Sequence, residues 1–202
     1  MVRPLIVALS VFLPAAVVPP QSKPELSYTG DGRMNFPENY REWVYLTSGL
    51  GMSYSATAPE HARFDNVFVN PTAYKAFLAT GTWPDKTVLV LEIRAADSKV
   101  SIDHHGQSQT PEVVALEAHV RDEKLPGQWG FFEFDGQAPG KLVARPAGCY
   151  TCHEAHAAVD TTFVQFYPTL IGLAKEKKTL SAAYLKEMPD AAALPAATKA
   201  KY

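Results

Sequence analysis

The chain has 202 residues, of which 47% are hydrophobic and 20% are charged. This composition supports one sizeable core and excludes a disordered or fibrous protein. Nineteen Lys and Arg against 21 Asp and Glu give a net charge of -2, and no basic run is longer than Lys177-Lys178, which argues against nucleic acid as a partner. Two cysteines are too few for the disulfide scaffold of a small secreted protein.

The N-terminal segment has the pattern of a signal peptide. Arg3 precedes an apolar run over residues 5–18 that is broken only by Ser10 and Pro14, and a polar, proline-rich stretch follows. The apolar run is short for a membrane span. We predict a signal peptide over residues 1–22 and export to the periplasm, with an uncleaved anchor or a buried first helix as the alternatives.

Beyond this segment, short runs rich in β-branched and aromatic residues alternate with turn signals, which is typical of strands. Between the second and third runs, Pro71 suits the first turn of a helix and Gly81 suits a C-terminal cap, so we predict a helix over residues 71–80. The predicted strands cover residues 43–47, 64–69, 87–93, 113–120 and 129–134.

After Pro146 the sequence changes to helix formers, and we predict a series of C-terminal helices. Strands followed by helices indicate an α+β domain, in which an antiparallel sheet of about five strands, with one crossover helix, packs against these helices. We place the domain at residues 23–190 and predict a disordered, alanine-rich tail over residues 191–202. The predicted helices cover residues 149–159, 163–178 with an interruption at Pro168, and 180–188.

One motif indicates a cofactor-binding site. Cys149, Cys152 and His153 form C-x-x-C-H, the attachment signature of c-type haem, in which two thiols bond to the haem and the adjacent imidazole binds the iron. We predict one covalently attached haem with His153 as the iron ligand, carried by the C-terminal helices. A thioredoxin-like redox pair and half of a zinc site are the alternatives. The pair lies after all the predicted strands rather than after the first one, and only His156 is near the motif as a further zinc ligand.

The other face of the iron decides the function. A sixth protein ligand would make an electron carrier, whereas an open face would bind a diatomic gas or a small substrate. Met188 is the first candidate for a sixth ligand, although an apolar contact on a short tail helix explains it more simply. The full set of candidates is Met34, Met52, His61, His104, His105, His119 and Met188.

Several segments together resemble the cytochrome P-460 family. They occur in the same order over nearly the whole chain after the predicted signal peptide, and the segment after the haem motif is the most specific. They are residues 36–43 (FPENYREW), 67–71 (VFVNP), the run ending at Glu92, residues 116–118 (LEA), the C-x-x-C-H motif and residues 163–168 (FVQFYP).

The resemblance implies an antiparallel sheet, a homodimer and a high-spin haem with an open distal face. Family enzymes oxidise hydroxylamine, and a lysine on the strand just before the position of Glu92 is cross-linked to their haem. Here that position is Leu91, and neither Lys75 nor Lys86 fits it, so the chain is closer to the cytochromes c′-β, which bind nitric oxide.

The resemblance also points to residues around the distal face. Glu117 matches the family's distal carboxylate, a proton relay, although strand alternation also allows an exposed charged edge. Phe64 and Phe68 are candidates for an aromatic cap over the ligand, with ordinary sheet core as the alternative. Leu91 would make the distal pocket more apolar.

The sequence thus predicts an exported monohaem c-type cytochrome that binds nitric oxide or a related small nitrogen species. A hydroxylamine or nitric oxide oxidoreductase and a six-coordinate electron carrier are the alternatives. The expected partners are a small diatomic or nitrogen-oxide ligand and a periplasmic redox protein. A homodimer is expected from the family alone.

Overall fold

A computed structural model of the chain describes residues 24–54, 60–98 and 100–193. The predicted signal peptide lies outside the described residues. The described part contains one six-stranded sheet in the order β1-β2-β3-β4-β5-β6, and each neighbouring pair of strands is antiparallel. The strands are β1 (Val44–Leu50), β2 (Arg63–Val69), β3 (Val88–Asp97), β4 (Ser108–Arg121), β5 (Trp129–Phe134) and β6 (Lys141–Leu142).

Helices lie between β2 and β3 and after the sheet, which confirms the predicted α+β class. The helix between the strands begins at Pro71 and is capped by Gly81, whose φ of +78° is the left-handed conformation that favours glycine. The helices are α1 (Pro71–Thr80), α2 (Gly148–His156), α3 (Ile171–Glu176) and α4 (Ala182–Glu187), with 3-10 turns at Tyr40–Glu42, Val164–Phe166 and Pro189–Ala193.

The five predicted strands are all present, and β6 is an addition of only two residues, too short for a periodic pattern to indicate. The hairpin of β3 and β4 is longer than predicted, because the ladder continues to the pair of Asp97 and Ser108. These extra residues are mostly polar or small and are half-buried or exposed, so they lack the alternation that marks a half-buried strand.

The two faces of the sheet pack against different parts of the chain. One face packs against α1 and the C-terminal helices, where Phe77, Trp83 and Leu170 are almost fully buried. The N-terminal residues, including Met34 and Tyr40, cover the other face. We call the first the cavity face and the second the closed face. Side chains alternate between them along each strand, so neighbouring residues have different environments.

The predicted disordered tail begins too early. Residues 191–193 belong to the 3-10 turn Pro189–Ala193, and Ala191 is buried in the core of the cavity face. An alanine-rich sequence has no side chain large enough to show this packing in advance.

No helix within the described residues is long and apolar enough to cross a membrane.

Candidate functional site

A cavity of about 790 Å³ lies between the cavity face of the sheet and the chain that follows it. Its size is within the range of small-molecule and cofactor sites. Strands β1 to β5 form one wall, while α2 and residues 162–167 contribute the other. The lining is mainly apolar, and all three functional residues of the C-x-x-C-H motif belong to it.

Helix α2 presents the motif to the cavity. Cys149 and Cys152 are three residues apart and His153 follows at once, so one helical face carries all three side chains. Both cysteines are free thiols and partly buried, and burial raises the pKa of the Cys149 thiol. The two thiols therefore lie together on the cavity wall.

Tyr150 fixes α2 to the sheet. Its side chain points away from the cavity into the protein, where its hydroxyl donates to the Val143 carbonyl at 2.9 Å. The same hydroxyl accepts from the Phe131 amide at 3.3 Å, and the Arg145 guanidinium lies 3.8 Å from the ring centre. Tyr150, one of the two residues between the cysteines, thus anchors the motif to β5.

His153 is held as a neutral imidazole with one free nitrogen. Its Nδ1 lies 2.7 Å from the carbonyl oxygen of Thr161, and because a carbonyl only accepts, Nδ1 carries the proton. Burial lowers the pKa of His153. The lone pair of Nε2 is therefore available, which is the arrangement a metal-binding imidazole needs.

Aromatic rings surround the His153 imidazole. Phe163 lies against it with ring centres 4.0 Å apart, and Phe131 and His119 approach edgewise at 4.8 and 4.9 Å. His119 is buried and stacks on Phe131 at 4.1 Å. Burial holds the pKa of His119 well below its ordinary value. The sequence analysis named His119 as a candidate sixth ligand and missed its contact with His153.

The segment after α2 closes this wall. The side chain of Gln165 accepts from the Ala158 amide at 2.9 Å and donates to the His156 carbonyl at 2.8 Å. It thereby satisfies a carbonyl at the end of the helix and ties the segment that contains Phe163 to α2.

The structure places Leu91 and Glu117 side by side on the sheet wall. They are paired residues on β3 and β4 that both line the cavity. Burial raises the pKa of Glu117, and the charges of Glu133 and Asp65 raise it further. The exposed-edge alternative for Glu117 is therefore wrong, whereas the roles of both residues toward a ligand stay predictions.

The structure corrects the prediction for Phe64 and Phe68. On β2 the cavity is lined by Arg63, Asp65 and Val67, so the two phenylalanines between them point to the closed face. There the Phe68 ring packs edgewise against Tyr40 and Tyr45. They belong to the closed face of the sheet, the alternative left open above, and do not cap the site.

Some of the candidate sixth ligands line the cavity and others lie away from it. Met52, His61 and His119 line the cavity. Met34 is fully buried on the closed face, and His104 and His105 are exposed at the end of the β3–β4 hairpin. Met188 caps α4 with 48% of its surface exposed and is not in the cavity wall. This position fits a contact of the tail helix, the simpler explanation given above, and not iron ligation.

Within the described ranges, no lysine lines the cavity. Lys75 is exposed on α1, and the Lys86 ammonium is 2.5 Å from Asp122 Oδ1. In the same part of the chain, no three His, Cys, Asp or Glu side chains are grouped as metal ligands, so the zinc alternative lacks a ligand set there.

Comparison with known proteins agrees with this site. No curated protein sequence matches the chain, but the sequence model of the family described as Cytochrome P460 matches residues 37–164. That family implies a haem cofactor, and two thiols, an imidazole with a free Nε2 and a largely apolar cavity are the groups a haem needs. Because the match covers more than half of the chain, from the N-terminal cover of the closed face to the wall beside His153, the protein belongs to the cytochrome P460 family.

Proposed function

We propose that the chain is an exported c-type cytochrome with one covalently attached haem that binds nitric oxide or a related small nitrogen species. The observation that carries the proposal is that Cys149, Cys152 and His153 all line the same cavity. The two thiols would attach the haem, and His153 Nε2 would bind its iron. The predicted signal peptide supports export, since bacterial haem c is attached outside the cytoplasm.

When bound, the haem would supply reversible ligation of a small molecule at iron and one-electron redox chemistry. The residues of the chain would select the ligand. Leu91 and Val67 line the cavity and would give it an apolar wall that limits the size of the ligand. Glu117 provides one polar group on that wall, and its raised pKa enlarges the protonated fraction that can donate a hydrogen bond.

The test is the spectrum of the purified protein, produced together with haem-attachment machinery. We expect haem to stay on the chain under denaturing conditions, and we expect a five-coordinate ferrous spectrum that shifts when nitric oxide is added. The double variant Cys149→Ser/Cys152→Ser should lose the covalent haem. A low-spin spectrum that nitric oxide leaves unchanged would contradict the gas-binding proposal but not the haem assignment.

A second candidate function is a hydroxylamine or nitric oxide oxidoreductase. Glu117 favours it, because a partly buried carboxyl with a raised pKa can accept and return a proton beside a bound substrate. Such an enzyme needs an electron acceptor, which would be a periplasmic redox partner. Hydroxylamine consumption that depends on an added oxidant and is lost in Glu117→Gln would support this function.

A third candidate is an electron carrier with a sixth ligand from Met52 or His61, which both line the cavity. It requires a low-spin spectrum in both oxidation states. The homodimer is proposed from the family resemblance, and sedimentation of the haem-loaded protein tests it.

A further inference from the structure

We propose that Thr161 and His119 are positioning residues that set the orientation and hydrogen-bond strength of His153 toward iron. The inference rests on the proposed function, because it takes His153 as the iron ligand. It concerns two side chains that the haem motif does not include, one in the chain after α2 and one on β4.

The first contact joins His153 to a tight turn. The acceptor of the His153 Nδ1 proton is the Thr161 carbonyl, at 2.7 Å. Thr161 lies between Val159 and Thr162, which form an isolated β-bridge, and Asp160 in the same turn has a φ of +52°. The direction of the Thr161 carbonyl therefore depends on how this short turn is held.

The second contact fixes the turn to the sheet. The Thr161 hydroxyl is 3.2 Å from His119 Nε2, and whichever group donates, the bond restrains Thr161. His119 is itself immobilised, because it is buried and its ring stacks on Phe131 with an interplanar angle of 10°. Through His119, strand β4 thus restrains Thr161, whose carbonyl accepts the hydrogen bond from His153.

The consequence concerns the other ring nitrogen. A firm hydrogen bond at Nδ1 fixes the tautomer and increases the electron density that Nε2 offers to a metal. If the Thr161 hydroxyl loses its partner, the carbonyl is free to turn and the bond to Nδ1 weakens. We expect the iron–imidazole bond to weaken with it.

Three haem-loaded variants test this. Thr161→Val keeps the shape and the main-chain carbonyl but removes the hydroxyl, and His119→Phe keeps the stack on Phe131 but removes Nε2. Thr161→Ser keeps the hydroxyl and should behave like the wild type. The readouts are the iron–histidine stretching band of the ferrous protein and its reduction potential.

We expect Thr161→Val and His119→Phe to move the stretching band to lower frequency and to raise the potential. Because both remove the same bond, the double variant should shift no further than either single one. Unchanged band and potential in both single variants, with haem attached, would overturn the positioning role. A wild type that carries no haem would instead overturn the proposed function.

Thr87→Val is the control for loss of stability. The Thr87 hydroxyl donates to the Pro84 carbonyl at 2.7 Å, and Thr87 is fully buried outside the cavity wall. Its removal should lower the thermal midpoint without moving the iron–histidine band. If Thr87→Val shifts the band as far as Thr161→Val does, the effect is general loosening and the positioning proposal is wrong.

Discussion

Two glutamates on neighbouring strands point to opposite faces of the sheet, and their pKa values shift in opposite directions. Glu92 on β3 points to the closed face, where it is 3% exposed and accepts hydrogen bonds from Tyr40, Arg41 and Arg94. Burial alone would raise the pKa of Glu92, but these hydrogen bonds outweigh it and lower the pKa. The closed face thus compensates its buried charge.

Glu117 on β4 points to the cavity face. Burial raises its pKa, and the nearby carboxylates of Glu133 and Asp65 raise it further. Among the described residues, no ion pair joins Glu117 to a cation. Glu117 thus lacks the compensating cations that Glu92 has, which supports the proposed role of Glu117 in the site.

The largest expected effect is on the closed face. Glu92→Gln should lower the free energy of unfolding by about 3 kcal/mol, because it leaves two arginines and a buried tyrosine hydroxyl without their charged acceptor. Glu117→Gln is the matched variant and should change it by less than about 0.5 kcal/mol, or stabilise the protein. Urea denaturation at pH 7 measures both, and equal losses would contradict the comparison.

A second pair of neighbours on β3 compares packing. Val90 is fully buried on the closed face, whereas Leu91 lines the cavity. Val90→Ala should cost about 2 kcal/mol, because it leaves a void in a closed core. Leu91→Ala should cost about 1 kcal/mol despite removing more atoms, since its side chain already borders open space.

The same two variants should differ in ligand binding. Leu91→Ala widens the proposed distal wall and should speed the association of nitric oxide with the ferrous protein, whereas Val90→Ala should leave that rate unchanged. Stopped-flow mixing measures it. A rate that changes in Val90→Ala alone would mean that the cavity is not the ligand site.

The opposite pKa shifts predict opposite dependences on pH. Since the pKa of Glu92 is lowered in the folded protein, its stabilisation is complete above its unfolded pKa of about 4.3 and is lost as the pH falls through the folded value. The deficit of Glu92→Gln should therefore shrink in acid.

For Glu117 the sign reverses, because its pKa is raised. Its favourable contribution is complete below the unfolded pKa and is lost as the pH rises through the folded one. The stability of Glu117→Gln relative to the wild type should therefore improve from pH 4 to pH 7. Urea midpoints across this range measure both trends, and parallel trends for the two variants would contradict the opposite shifts.

Much of the architecture was predictable because it is local. The continuous apolar run of β3 and the proline and glycine around α1 act within a few residues, as does the spacing of Cys149, Cys152 and His153. The N-terminal cover was not predictable. Residues such as Met34 have no periodic pattern, and their burial depends on contacts with distant strands.

The sequence of β2 also does not show which of its side chains point to the cavity. Phe64 and Phe68 alternate with Asp65 and Val67, so apolar residues occur on both faces and the pattern does not say which one borders the cavity. Asp65 is charged, yet its side chain lines the cavity. The role of His119 was not predictable either, because its partner Thr161 lies 42 residues away in sequence.

The smallest expected effect concerns two methionines. Met188→Ala should leave the haem spectrum unchanged and should change the free energy of unfolding by less than about 0.5 kcal/mol, because the side chain is half exposed outside the cavity.

Met52 differs, since its sulfur lies directly over Gly49, where a Cβ atom would come within 2.1 Å of it. Met52 and Gly49 both line the cavity, so Met52→Ala should open the cavity wall and speed nitric oxide binding. A wild-type low-spin spectrum that becomes high-spin in Met52→Ala but not in Met188→Ala would instead make Met52 the sixth ligand and the protein an electron carrier.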